Sequence, residues 1–442
     1  MLCVQNLFMT NNKSITLNTL IITALTLVAN IIGMLLHIVL ASNLGASREL
    51  DEFYIIVGWS LFFLGLVISA MNFSIIPRLS SISGNKLQFS FEASRLLFFT
   101  FCTSLLIFCF GYLLMPLVYE LLYGLKDNNL LVSWVWLSTA ILIFSNILTC
   151  LLNALRQQVL AVSLTLWPAL LMVTSFYLFP NSGLQIIPQG QCLGALLSII
   201  LAAIFLKRVE FSFEMQKLKH WIKSISFPTR LTMSIGAMTC FSSYALIDSY
   251  WAPQISSGAL SIVTITQRFM IAVGNFSVAA ASVLMIPALV KYANLGAQHL
   301  FYKELWAWLR LVLLGGGFAA LVLLGFGDSI MSILFVRGDF SMADAISISS
   351  LSFAFLPGNI CMLLSVLIFR ALFILDGGDR VACFLSVYWT LSYLFLSGFY
   401  LSEAENGLAR AYLISWFQVL MMSVVSLYFL LIKHSNGSRK IG

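Results

Sequence analysis

The sequence predicts an all-α polytopic membrane protein, with about twelve transmembrane helices in two pseudo-symmetric six-helix bundles. Three observations lead there. The chain is 442 residues long, 60% apolar and only 9% charged, far more apolar than a soluble chain of this length needs. Its apolar residues fall into successive windows of about 20, the length of a helical span rather than of a barrel strand. Landmarks in the first half then recur in the second at nearly one spacing.

The expected spans are 17–41, 53–77, 93–118, 131–154, 158–179, 186–206, 228–250, 258–287, 304–326, 347–375, 381–401 and 408–432. Residues 1–16 are short and mixed. The first span is too long for a signal core and no small-residue cleavage pattern follows it, so it is read as a span. Span one places Asn30, Gly33 and His37 on one face. A satisfied packing histidine and a cavity-lining one both fit that pattern. A Gly/Ser-rich loop, 42–52, ends in acidic residues. Span two closes on Ile75-Ile76-Pro77-Arg78-Leu79, where proline suits a helix exit. Span three ends at Met115-Pro116, followed by an amphipathic turn, 117–129. Span five contains Trp167-Pro168, an expected bend.

The one long polar connector, 207–227, has Phe211, Met215, Leu218, Ile222 and Ile225 on one stripe and lysines and His220 elsewhere. That pattern predicts a helix lying on the membrane surface. It divides the chain into an N-terminal bundle, 1–206, the connector, and a C-terminal bundle, 228–442. Sorted by alternate loops, basic residues crowd one side: Lys13, Arg78, Lys86, Arg95, Arg156, the 207–230 cluster, Lys291, Lys303, Arg310, Arg370 and Arg380. Only Arg48, Lys126, Arg337 and Arg410 fall on the other. Both termini are therefore expected in the cytoplasm. The net charge of +7 reflects this bias, and no free basic arm suggests nucleic acid.

The repeat rests on three landmark pairs. Gly124 to Gly338 and Arg156 to Arg370 are both 214 residues apart, and Pro77 to Pro287 is 210. Parallel repeats of this kind are a feature of alternating-access transporters.

Span eight is the most informative stretch. It is almost wholly apolar, yet Arg268 lies about a third of the way along it, where a guanidinium costs roughly 3 kcal/mol on insertion scales. Thr264, Gln267, Arg268 and Asn275 share one face. Such a face lines a polar interior. An ion pair with Asp248 or Asp51, each near the outer end of its span, is the structural alternative. Pro357-Gly358-Asn359 interrupts span ten, as a hinge or a static kink. Asp248 and His37 are candidates for a coupling cation or proton, and Asp51 and Pro357 for gating. The eight cysteines lie singly, with no metal spacing, and no cofactor is expected.

With the two halves in place, the chain resembles the MurJ/MviN group of lipid-linked precursor flippases, within the multidrug/oligosaccharidyl-lipid/polysaccharide (MOP) exporter superfamily. The resemblance covers nearly all of 17–432. It rests on Leu44-Gly45-Ala46-Ser47 followed by Asp51 and Phe53, on Ile76-Pro77, and on Leu152-Asn153-Ala154. In the second half it rests on Asp248, on Gly258 and Ser261 leading to Arg268, on Ile286-Pro287, on Arg337-Gly338-Asp339-Phe340, and on Arg370-Ala371 before Asp379-Arg380. It implies a flippase moving an undecaprenyl-diphosphate-linked saccharide, lipid II or a related cell-envelope precursor, to the outer leaflet of the bacterial inner membrane. The implied role is in peptidoglycan or other cell-wall biogenesis, acting as a monomer.

Departures from the family are specific. Lipid II members have three more arginines in spans one and two, and the matching positions here are Asn30, Leu36 and Leu64. An acidic neighbour that often precedes the span-eight arginine is Gln267. Lipid II members also commonly have two further C-terminal helices, and this chain ends after span twelve. Arg268, Thr264, Gln267, Asn275 and Asn30 are the expected substrate contacts. Exporters of other polysaccharide lipid intermediates and drug/cation antiporters of the same superfamily remain alternatives. The antiporter reading predicts acidic residues inside the first-half helices, and none lies within spans one, two, four or five. A non-transporting scaffold in envelope assembly is the alternative from another class, and nothing in the loops suggests an enzyme.

Overall fold

A computed structural model describes residues 12–71, 79, 82, 85–125, 129–155, 157–179, 182–208, 229–375 and 377–438. Fourteen α-helices build it: α1 Asn12–Leu44, α2 Arg48–Ala70, α3 Lys86–Leu113, α4 Met115–Tyr123, α5 Asn129–Ala154, α6 Gln158–Leu178, α7 Ile186–Arg208, α8 Thr229–Ser242, α9 Tyr244–Trp251, α10 Ala259–Asn294, α11 Gln298–Phe335, α12 Met342–Ile374, α13 Gly378–Phe399 and α14 Glu405–Ser438. Ten are long and apolar enough to cross a membrane. The chain is a multi-pass, all-α membrane protein, and α8 with α9 and then α10 supply the remaining two of twelve crossings. Pro77, Arg78, Arg156 and the connector from 209 to 228 lie outside the described residues, as do the side chains of Asn275 and Pro287.

The repeat read from landmarks is visible in the packing. In the first half α1 packs on α6, α3 on α5, α5 on α7, α6 on α7 and α2 on α5. In the second half α8 packs on α13, α11 on α12, α12 on α14, α13 on α14 and α10 on α12. Each pair in one list is the counterpart of a pair in the other. The central posts, α5 and α12, are the most buried helices of their halves. Both Gly124 and Gly338 adopt the left-handed backbone, at φ +65° and +58°, a conformation that strains any residue with a Cβ. Sequence position and backbone geometry thus repeat together.

Two elements differ from the sequence expectation. Span seven is two helices, broken at Ser243, whose hydroxyl bonds back to the Cys240 carbonyl at 2.6 Å. A serine bonding its own helix carbonyl competes with the regular ladder. Span nine runs unbroken to Phe335, whereas a separate short helix follows span three. Pro116 lies at the start of that short helix; nothing equivalent interrupts α11. Pro357 sits inside an uninterrupted α12 with its ring exposed. Gly358 beside it faces Tyr412 and the Leu413 backbone so closely that a Cβ would collide; this position brings α12 and α14 together.

Across the halves, α2 packs on α8 and α9, and α1 on α10. Gly58 and Gly65, seven residues apart on α2, face Ala245 and Ser242, so small residues set that approach. One end of the seam is sealed by main-chain contacts. The Asp339 N–H donates to the Ser42 carbonyl at 2.9 Å, and Gly338 and Gly258 lie against the carbonyls of Ser42 and Ala46. Gly338 and Gly124 share a backbone strain of about 1–2 kcal/mol toward any L-residue, but open space surrounds Gly124. Gly338→Ala should therefore lower the melting temperature in detergent by clearly more than Gly124→Ala, as read by thermal unfolding of the two variants.

Candidate functional site

At the sealed end, Asp51 on α2 reaches across to the start of α10. Its two carboxylate oxygens accept from the Gly258 N–H at 2.7 Å, the Ser261 N–H at 2.7 Å and the Ser261 hydroxyl at 2.5 Å. A carboxylate at a helix N-terminus meets both unpaired amide donors and the positive end of the helix dipole. Gly258 precedes α10 in the left-handed region, φ +86°, which turns its N–H toward the acid. Asp51 is 4% exposed, so water offers these donors no substitute.

About two helical turns beyond Ser261 lies Arg268. It lines a cavity of about 220 Å³ between the halves, together with His37, Tyr54, Gln191, Asp248, Thr264 and Gln267. The five helices that supply these groups come from both bundles: α1, α2 and α7 from the first, α9 and α10 from the second. Among the described residues no hydrogen bond or ion pair engages the Arg268 guanidinium. The two candidate acids are occupied elsewhere. Asp51 holds the sealed end. Asp248, 2% exposed, accepts from the Tyr393 hydroxyl at 2.5 Å and from Gln267 Nε2 at 2.6 Å. The ion-pair alternative for Arg268 is thus absent from this structure.

His37 takes both of its expected parts. Its Nδ1 lies 2.8 Å from the Tyr54 hydroxyl, the rings meet at 5.7 Å, and the pair still faces the cavity. Asn30 lies outside the lining. Leu36 and Leu64, the positions matched to arginines in lipid II members, both line it. The break at Ser243 brings Tyr244, Ala245 and Asp248 to the wall, in the manner of discontinuous helices that line polar cavities in membrane proteins.

Several groups at this site were not singled out in the sequence. Tyr54 and Tyr393 matter because each completes the partner set of an expected residue. For Tyr393 a signal was available: Trp389 and Tyr393 on α13, and Tyr412 and Trp416 on α14, are aromatic pairs four residues apart, each on one helix face.

The helix order and the repeated packing of the two halves recur in solved transporter structures at low sequence identity. The lipid II flippase MurJ in an inward closed conformation superposes with a TM-score of 0.75 at 17% identity, over 95% of this chain and 90% of that one. A multidrug-resistance MATE transporter in its inward-facing conformation gives 0.70 at 10% identity, over 92% and 95%. A MOP superfamily transporter from Pyrococcus furiosus gives 0.63 at 11% identity, over 95% and 94%. No protein-family model matches the chain and no curated protein sequence matches it. The fold is therefore established by structure alone.

The Asp51 clamp has a measurable consequence, because hydrogen bonds to a charged group contribute about 1.5–3 kcal/mol. Asp51→Asn, which cannot accept all three, should loosen the sealed end. A cysteine placed at Ala259, fully buried behind the clamp, should then react faster with a membrane-impermeant maleimide, whereas Glu49→Gln, outside the clamp, should leave that rate unchanged.

Proposed function

We propose that this protein is an alternating-access flippase that carries the head of an undecaprenyl-diphosphate-linked saccharide from the inner to the outer leaflet of a bacterial cytoplasmic membrane. The observation behind this reading is Arg268, a guanidinium in an apolar helix with no counter-ion among the described residues, facing a cavity built from both halves. An intramembrane cation is costly, and the cost is offset when an anionic ligand arrives. A guanidinium suits a diphosphate because its planar fork donates to two oxygens at once. Only the head of such a lipid needs a polar enclosure, since the tail stays in the bilayer.

Thr264 and Gln267 flank the arginine on its face and would contact the same head. Asn275 lies on that face by its place in the helix. In this reading the sealed end is the outer one, as the distribution of basic residues predicts, and both termini are cytoplasmic. Outward opening then requires Asp51 to release Gly258 and Ser261. Asp248, tied to both α13 and α10 through Tyr393 and Gln267, is the candidate for coupling to a proton or a cation. A drug/cation antiporter would need a carboxylate free to meet a cation in the cavity. Both acids here are engaged, which favours the anionic substrate.

The test is reconstitution into liposomes with a fluorescent undecaprenyl-diphosphate saccharide, following head-group exposure by a membrane-impermeant quencher. Arg268→Ala should slow transfer by about ten- to a hundredfold, matching the roughly 1.5–3 kcal/mol of a charge-assisted contact, while the protein stays folded and monodisperse. Arg268→Lys should fall between, since an ammonium keeps the charge but not the fork. Wild-type transfer by Arg268→Ala would end this reading.

A further inference from the structure

The two bundles give the central cavity different chemistry. The C-terminal bundle brings Arg268 and Asp248 to the described wall, whereas the N-terminal bundle brings no lysine, arginine or carboxylate to it. Most polar groups on the N-terminal side are tied locally. Ser60 donates to the Val57 carbonyl at 2.9 Å and Thr139 to the Val135 carbonyl at 2.8 Å, and His37 and Tyr54 engage each other. Gln191 on α7 is the exception.

The packing of α7 aims this side chain. Gly190 and Gly194, four residues apart, lie against the Leu171 and Trp167 carbonyls of α6 so closely that a Cβ at either position would collide. That contact fixes the rotation of α7 about its axis. Gln191 lies about 100° around the helix from Gly190 and is turned instead to α5 and the cavity. There the buried Ser138 hydroxyl lies 3.0 Å from its Oε1. Ser138 has one proton and two acceptors in reach, Gln191 Oε1 and the Val135 carbonyl at 2.8 Å. If the proton goes to Gln191, the amide N–H groups are left toward the cavity. If it goes to Val135, the amide turns over, donates to Ser138 and leaves its oxygen there. In both arrangements one end of the amide is held, and the other has no hydrogen-bond partner among the described residues. Gln191 is only partly buried and lines the cavity, so a ligand reaches it.

These features select a ligand group. A neutral amide among Leu142, Met172, Ile187 and Pro188 offers a phosphate far less than Arg268 does. A wholly apolar group leaves the free end of the amide unmet. A pyranose meets both conditions. Each of its hydroxyls donates and accepts, so one of them pairs with the amide in either orientation, and its C–H faces suit the aliphatic wall. In a lipid-linked saccharide the first sugar is bonded directly to the diphosphate. A head that fills a cavity of about 220 Å³ touches both walls, so a diphosphate on Arg268 carries that sugar to the N-terminal side.

We infer that Gln191, positioned by Ser138, hydrogen-bonds the first sugar of the lipid-linked head while Arg268 holds the diphosphate. The head then lies across the seam, with its charge on the C-terminal bundle and its sugar on the N-terminal one. The inference rests on the function proposed above and adds a specificity residue and the orientation of the head.

Two probes separate the contacts: undecaprenyl diphosphate, and the same lipid bearing N-acetylglucosamine. Both are titrated against the full-length protein in nanodiscs. The wild type should bind the sugar-bearing probe about three- to tenfold more tightly, the range of one neutral hydrogen bond. Gln191→Leu should bring that ratio close to one and leave affinity for undecaprenyl diphosphate unchanged. Ser138→Ala keeps Gln191 but frees its amide, and should lower the ratio by about half, again without changing affinity for undecaprenyl diphosphate. Equal wild-type affinity for the two probes, an unchanged ratio in either variant, or an equal loss for both probes in Gln191→Leu overturns the sugar contact. Arg268→Ala should weaken both probes by similar factors. Unchanged affinity for both in that variant overturns instead the diphosphate reading of Arg268.

Discussion

A guanidinium with no counter-ion among the described residues, set between two carboxylates that are each occupied by other donors, organises the centre of this protein. Had Asp248 turned to Arg268, the pair would have been a neutral strut between α9 and α10, and an anionic ligand would have had to break it. Breaking a buried pair costs several kcal/mol, because each charge is left uncompensated. Instead Tyr393 and Gln267 satisfy Asp248, and Gly258 and Ser261 satisfy Asp51. The substitution of an amide for an acid at Gln267 is part of this arrangement, since the amide donates to Asp248 and leaves the charge of Arg268 intact. Availability of the cation is thus a product of where its neighbours send their hydrogen bonds.

The same bonds connect the site to the rest of the molecule. Asp51 ties α2 to the start of α10, and Arg268 sits about two turns along that helix. Asp248 ties α9 to α13 and α10. Tyr123 and Ser249, 3.2 Å apart, add a contact between α4 and α9, and Trp59 on α2 donates to Tyr123 at 3.2 Å. Displacement of α10 relative to α2 changes the clamp and the position of the guanidinium together, because both lie on one rigid helix.

Much of the fold was legible in the sequence because a membrane imposes simple rules. Length and hydropathy locate spans without tertiary knowledge. The left-handed glycines, Gly124 and Gly338, sit one repeat apart because the same turn recurs, and only glycine takes that backbone without strain. Arg268 was legible because an ionisable group at depth stands out against an apolar background. The break at Ser243 was not, since two adjacent serines in an apolar span are compatible with an unbroken helix until a neighbour, here Thr390, bonds across. Nor could spacing say which donors Asp248 and Asp51 would take. Gln267 lies 19 residues from Asp248, but Tyr393 lies 145 away and the donors to Asp51 lie 207–210 away, and tertiary packing settles the choice. Pro357 shows the opposite failure: a residue that reads as a breaker was accommodated, with its ring outside and the helix continuous.

The charge count of the cavity bears on how a transport cycle could be driven. Leu36 and Leu64 stand at the wall where lipid II members have arginines, so Arg268 is the one guanidinium among the described cavity-lining side chains. On the proposed reading, a diphosphate diester brings about two negative charges, and the loaded site is net negative when only Arg268 and the ligand are counted. With the Asp248 carboxylate of the lining counted as well, the empty site is neutral and the loaded one carries about two net negative charges. With the cytoplasm negative, outward movement of the loaded site is favoured, by about 2.3 kcal/mol per elementary charge per 100 mV for full transfer across the field, and return of the empty one is indifferent to the potential. A cavity with three further arginines would stay positive when loaded, and the same potential would oppose its outward step. On the proposed reading, leucines at Leu36 and Leu64 weaken the grip on an anionic head but let the membrane potential assist the outward, loaded step.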